Sequence, residues 1–203
     1  MLGRYKNACF YNWGDKMKLV ICLMGYQFSG ANIIENYLIE TYGIKKYKGY
    51  TSRLKRSKKE KGRYHFVDLA TMIELDNQLI GVREYNGNFY GRKLADIPDG
   101  ISVGVTDYFG YLALKEKVAT LPIFVERGLR NRFEHGEANN KKNHDNFIHR
   151  DAEDKIQFDI LIKDKDVVKI NYTGLNNTFI EIDNIIFPLL GDIKKFNLQE
   201  DKE

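Results

Sequence analysis

The stretch LVICLMGYQFSGANIIENYL, residues 19–38, sets two glycines five positions apart between an apolar run and a helical pattern. That is the frame of the phosphate-binding loop G-x-x-x-x-G-K-[ST]. In such a loop backbone N–H groups and a helix N-terminus hold phosphate oxygens, the lysine follows the outer phosphates and the hydroxyl holds magnesium. Gly25, Ser29 and Gly30 fit the frame, but Ala31 stands at the lysine position and Asn32 at the hydroxyl position. The backbone of this loop can still attract a phosphate. Its side chains bring no charge to one.

A second set of candidates lies in the basic stretch KKYKGYTSRLKRSKKEKGRYH, residues 45–65. Guanidinium groups present planar, paired donors that match phosphate oxygens, so Arg53 and Arg56 are candidate clamps for a phosphate monoester. Tyr64 and, further on, Tyr90 can add hydroxyl donors to the same group. Asp107 ends an apolar run, and ligands of open α/β sheets bind outside the carboxyl ends of the strands. Taken singly, the arginines would read as a solvated basic loop and Tyr90 as a turn aromatic packed on a sheet.

The elements that must position these residues follow from periodicity. Residues 18–24 read as a buried strand, and 31–42 carry Ile33, Ile34, Tyr37 and Leu38 at helical spacing with Gly43 as a stop. Strand, glycine-bounded loop and helix together open a parallel α/β sheet. LATMIELDNQLIG predicts a helix, and GVREYNGNFYG a small β-rich unit turning at Asn-Gly. GISVGV and ATLPIFVE predict further strands, FDILI and DVVKINY two late ones. Residues 127–154 predict helix at both ends around a polar loop, GEANNKKNHDN. NNTFIEIDNIIFPLL predicts a closing helix capped by Asn176 or Asn177, followed by a charged tail over 193–203. Residues 1–16 are expected to be an extension ahead of the first strand.

The 203 residues suit one domain, 43% hydrophobic and 30% charged. A net charge of +4 concentrated in one stretch favours a small anion held at one place over nucleic acid, which calls for a wider positive face. Cys9 and Cys22 lack zinc or redox spacing, and His135, His144 and His149 match no metal pattern, so no metal site is expected. No apolar stretch reaches membrane-spanning length and no signal-peptide pattern opens the chain, so no membrane partner and a cytoplasmic setting are expected.

TSRLKRSKKEKGRYHFVD resembles the monophosphate-binding signature of the guanylate kinase family, T-T-R-x-P-R-x-G-E followed by G-x-D-Y-x-F-V. GNFYG resembles that family's G-N-Y-Y-G, and VTDYFG its D-I-D-x-x-G strand end. LRNRFEHG and IHRDAED resemble its arginine-bearing lid, and FDILIKD its late strand Y-D-x-x-I-x-N-D. The motifs occur in family order from residue 18 to about 170. The resemblance implies a P-loop kinase-like parallel sheet flanked by helices over 17–192, a nucleotide-monophosphate-binding insert at about 45–95 and a helical lid at about 127–154. It implies GMP, dGMP or a related nucleotide as ligand, held by Arg53, Arg56, Tyr64, Tyr90 and Asp107, with Arg132 and Arg150 as catalytic lid residues. A homo-oligomer or a protein partner is compatible with it.

Departures from the family pattern are equally specific. The acid expected after the arginines falls on Lys59, with Glu60 next to it, and the second base-reading carboxylate falls on Gly81, with Glu84 nearby. Val105 replaces the first aspartate of D-I-D, and Lys163 the late asparagine. Phosphate recognition is thus better kept than base recognition, and with Ala31 in the loop efficient phosphoryl transfer is not expected. The resulting expectation is a nucleotide-binding pseudoenzyme. An active monophosphate kinase, which would bring ATP and Mg²⁺ as cofactors, is the alternative. A phosphopeptide-binding module, as in guanylate-kinase-like scaffold domains, is a further one.

Overall fold

The computed structural model describes residues 18–60, 62–139 and 144–200. The expected extension at 1–16 lies outside them. Five parallel strands form the main sheet in the order β2-β7-β1-β8-β9: β1 Lys18–Met24, β2 Lys45–Lys46, β7 Gly100–Val105, β8 Ala119–Glu126 and β9 Val168–Asn171. β1 is central and flanked on both faces, which is why its sequence is continuously apolar instead of alternating. Leu19, Ile21 and Leu23 pack with Ile34 and Leu38 of α1 (Ala31–Tyr42) and with Ile182 and Ile186 of α6 (Leu175–Glu200). Val20, Cys22 and Met24 turn to the other face. There they meet Tyr111 and Leu114 of α3 (Tyr108–Lys115) and Phe158 and Leu161 of α5 (His144–Leu161). Burial pushes the Cys22 thiol up to about 12, as befits a small core residue.

A second, mixed sheet follows the order β4-β3-β6-β5: β3 Gly49–Thr51, β4 Tyr64–Phe66, β5 Leu79–Tyr85 and β6 Asn88–Lys93. β5 and β6 form a hairpin whose turn residues Asn86 and Gly87 both take positive φ, 50° and 68°, the conformation that Asn-Gly supplies. A register shift between Ile80 and Arg83 kinks β5. Between β4 and β5 lies α2 (Leu69–Glu74), capped by the Asp68 carboxylate, which accepts from the Thr71 amide. The parallel sheet flanked by helices, the β-rich insert and the helical segment α4 (Leu129–Asn139) with α5 match the predicted fold class. β2, within the expected insert, belongs instead to the parallel sheet.

Other expectations are corrected. FDIL of FDILI closes α5, with Ile162 in the turn after it, and none of it is strand: Phe158 and Leu161, three apart, are 2% and 0% exposed, while Ile160 stands half open on the outer side. The strand beside β8 is β9, and Asp166 and Asn171 keep the D-to-N spacing of the late motif that FDILIKD was matched to. Helix α6 begins at Leu175, so Asn176 and Asn177 lie inside its first turn. The Thr178 amide and hydroxyl donate to the Gly174 carbonyl there, at 3.1 and 2.8 Å. The same helix runs on to Glu200 through most of the expected tail, because charged residues do not by themselves stop a helix. Of the expected polar loop, residues 136–139 belong to α4 and 144–146 to α5, and 140–143 lie outside the described residues. No helix among the described residues is long and apolar enough to cross a membrane.

Leu38 carries the α1 contact with β1 at 0% exposure. Leu38→Ala is expected to destabilise the fold by about 2–5 kcal/mol, read as a lowered urea midpoint with an unchanged slope.

Candidate functional site

A cleft of about 440 Å³ opens between the Gly25–Ala31 loop, the inner face of the second sheet, the C-terminal end of β7 and helix α5. The loop hugs its neighbours. A Cβ on Gly25 would lie 2.4 Å from Ser29 Oγ and 2.7 Å from the Val125 carbonyl, so only glycine fits. Gly30, at φ 104°, lies against the Tyr172 ring and starts α1: its carbonyl accepts from the Ile33 amide at 2.8 Å and the Ile34 amide at 3.1 Å. Ser29 is buried beneath the loop, its Oγ facing the Ala31 amide at 3.4 Å. Ala31 is itself 4% exposed and part of the core, whereas Asn32 is exposed at the cleft edge. Arg127 is tied to the loop. Its guanidinium lies 4.6 Å over the Tyr172 ring and donates to the Phe28 carbonyl at 3.2 Å.

Opposite the loop stands the wall formed by the second sheet. Arg53 grips Glu60 with both Nη atoms, at 3.1 and 2.9 Å, and Glu60 also accepts from the Arg56 amide at 2.8 Å. Burial opposes the charge on both partners, yet the pairing raises Arg53 and holds Glu60 below the usual carboxylate range. The acid that pairs with Arg53 is thus Glu60, one place beyond Lys59, where the motif has its acid. The Arg56 side chain makes no hydrogen bond among the described residues. Partial burial, then the cations of Arg53 and Arg150, press its pKa below the ordinary arginine value. Three guanidinium groups thus converge on one space. Tyr64, Tyr90 and Tyr85 form a row of edge-on rings beside them, with centroids 6.1 and 6.4 Å apart.

Arg150, on α5, lines this space, donating from Nε to the Tyr85 hydroxyl at 2.8 Å. Arg132 does not line it. It is 4% exposed, ion-paired with Asp151, hydrogen-bonded to the Arg127 carbonyl at 2.9 Å and packed 4.4 Å over the Tyr26 ring. A guanidinium so enclosed joins α4 to α5 and is not presented to a ligand. Asp107 lines the cleft as expected, but its carboxylate is engaged: it caps α3 by accepting from the Gly110 amide at 2.7 Å and pairs with Arg83 at 2.9 Å. Glu84 is exposed and is not part of the lining, because Arg83 and Tyr85 on either side of it point inward.

Seven arginines line the cleft against three carboxylates, Glu60, Asp107 and Asp154. Sequence reasoning missed Arg83, Arg127, Asp154 and Gln157. Arg83 and Tyr85 could have been found from the strand alternation of LIGVREY. Gln157 was hidden by the misplaced boundary of α5, whereas Asp154 lay inside the predicted lid segment, one turn after Arg150. Gln157, 3% exposed, accepts from the Tyr108 amide at 3.2 Å and from Arg83 at 3.5 Å, and donates to Asp154 at 3.3 Å. Among the described residues no cluster of three or more His, Cys, Asp or Glu could hold a metal ion.

A parallel sheet flanked by helices, with a glycine-bounded loop between its central strand and first helix and a cationic cleft at the strand ends, matches a P-loop kinase-like fold. More narrowly, it is the guanylate-kinase-like form of that fold. The chain superposes on the crystal structure of guanylate kinase from Anaplasma phagocytophilum with a TM-score of 0.61, at 20% identity, over 85% of this chain and 86% of that one. No protein-family model matches the sequence, and no curated protein matches it.

Burial pushes the Asp154 carboxyl up to about 6, against the opposing pull of Arg150, Arg83 and Gln157. A carboxyl raised above its unfolded value near ~4 makes the folded state bind the extra proton, so stability falls as pH rises from about 4 to about 6. Asp154→Asn is expected to remove that loss. In urea melts the variant should gain on the order of 2–3 kcal/mol over the parent at pH 7 and nothing at pH 4.

Proposed function

We propose that the protein binds a purine nucleoside monophosphate or a related phosphate ligand, with the phosphate between Arg53, Arg56 and Arg150 and beside the hydroxyls of Tyr64 and Tyr90. The observation that carries this reading is the crowding at Arg56. Its cation is brought against two others in an open cleft with no side-chain hydrogen bond of its own. Like charges cost free energy where nothing compensates them, and a phosphate dianion is the compensation that fits the geometry of guanidinium groups. Arg53 keeps donors to spare, since Glu60 and the Leu54 carbonyl use three of its five N–H groups.

Efficient ATP-dependent phosphoryl transfer is not part of the proposal. The transfer depends on positioning and on cations at the moving phosphoryl group, and loss of one such contact typically costs ~3 kcal/mol or more. Ala31 supplies none, and its methyl is packed in the core where a lysine would have to emerge. The residues around the loop do not fit a resident magnesium ion either. Asn32 offers a neutral carboxamide, and Glu35, buried three residues on, is taken by Lys46 at 2.6 Å and the Val105 amide at 3.3 Å. One observation favours the kinase alternative: Arg127 brings a charge to the loop that the missing lysine does not.

Calorimetry with GMP, dGMP, AMP, ATP and a phosphopeptide, followed by a coupled kinase assay with magnesium, tests the reading. A monophosphate should bind, and Arg56→Ala should weaken it by about tenfold or more. Turnover at ordinary kinase rates, ~1 s⁻¹ or faster, would select the kinase alternative. Affinities unchanged in both Arg53→Ala and Arg56→Ala would remove the pocket assignment, and tight binding of the phosphopeptide alone would make the protein an interaction module.

A further inference from the structure

The wall next to the arginine cluster has its own chemistry. Arg83 and Arg150 lie over the same Tyr85 ring, 5.2 and 5.1 Å from its centroid, so one aromatic ring separates the phosphate space from the Arg83–Asp107 pair. On that wall positive charge is balanced: Asp107 neutralises Arg83, and Asp154 lies beside Arg150. A second phosphate gains little there. A neutral group carrying acceptors gains more, because Arg83 still has donors to give. Its Nη1 reaches Asp107 at 2.9 Å and Gln157 at 3.5 Å, while Nη2 and Nε have no hydrogen-bond partner among the described residues.

The acceptors on the same wall are spoken for. Asp107 faces Arg83 with one oxygen and the Gly110 amide with the other. Gly81 cannot be replaced by an acid without strain: its φ is +59°, and a Cβ there would lie 3.2 Å from Gly110 Cα and 3.3 Å from Ala113 Cβ. Glu84 points away, and the Gln157 carbonyl already accepts from Tyr108 and Arg83. Asp154 accepts from Gln157 between two arginines. The wall therefore offers a fork of donors and few uncommitted acceptors. Nε and Nη2 of an arginine fit the O6/N7 edge of a 6-oxopurine in bidentate fashion, and adenine puts an amino donor where that edge has O6.

We infer that Arg83 is a specificity-determining residue, which selects 6-oxopurine monophosphates through the O6/N7 edge and leaves a 2-amino group unread. The inference rests on the monophosphate reading above. IMP and GMP differ only by the 2-amino group, and IMP and AMP differ at the 6-position, so three ligands isolate the two claims. Calorimetry on the full chain should give IMP and GMP affinities within about threefold of each other, both about tenfold or more above AMP. Arg83→Ala should bring the IMP-to-AMP ratio close to one while all three ligands still bind, because the phosphate contacts remain. Arg83→Lys, which keeps charge without the fork, should not restore the ratio.

GMP about tenfold tighter than IMP would overturn the inference, since a carboxylate would then be reading the amino group. So would equal binding of IMP and AMP by the parent protein, a result that needs no variant and leaves the phosphate site intact. If none of the three binds, the monophosphate reading itself falls, and the inference with it.

Discussion

The cleft depends on one buried guanidinium. Arg92, on β6, is 8% exposed and donates to the Tyr47 carbonyl just past β2 at 2.6 Å and to the Val105 carbonyl at the end of β7 at 2.5 Å, with its face 4.9 Å from the Tyr47 ring. Two strand-end carbonyls of the parallel sheet would otherwise lack these partners, and the cation would be costly in this place without them. Each side solves the other's problem. Gly104 makes room, for a Cβ there would sit 2.9 Å from Arg92 Nη1 and 2.7 Å from the Tyr47 carbonyl. Through this contact the second sheet is fixed against the first, and Arg53, Arg56 and Tyr90 are held across from the glycine loop instead of hanging on an independent hairpin.

That fixed frame separates the cations in and beside the cleft by what they do. Arg92 and Arg132 are spent on structure, one joining the two sheets and the other joining α4 to α5. Arg53 and Arg83 are each half spent, paired with Glu60 and Asp107 in ways that orient the guanidinium and leave donors over. Arg56 makes no side-chain hydrogen bond among the described residues. Counting positive residues would treat all of these alike. The balance of charge and open donors instead divides the cleft into a strongly cationic part around Arg56 and an adjoining part where charge is balanced and Arg83 donors are open.

How much of this could be read from the sequence depended on whether a signal was local. The opening strand, loop and helix were legible because continuous apolarity, two glycines and a helical period lie within 25 residues. The Asn-Gly hairpin was legible for the same reason. FDILI was misread because five residues with four apolar ones fit a strand or a helix equally. Only Phe158 and Leu161 facing the core, with Ile160 turned away, decide between them. That one error shifted the late motif and hid Gln157. The acid at Glu60 and the pairing of Asp107 with Arg83 were out of reach in a different way. Both depend on which side chains meet across elements, which spacing in a single chain does not state.

The same distinction explains why the loop and the pocket diverge. The loop owes its shape to backbone: Gly25 and Gly30 are required by the Val125 carbonyl and the Tyr172 ring. Ala31 adds no charge to it. Its methyl packs in the core beside Ile34, which favours the fold. Arg53 is the opposite case, because its ion pair with Glu60 shapes the segment that also presents Arg56. Residues that serve both fold and ligand are costly to lose. Ala31, buried and uncharged, serves the fold alone.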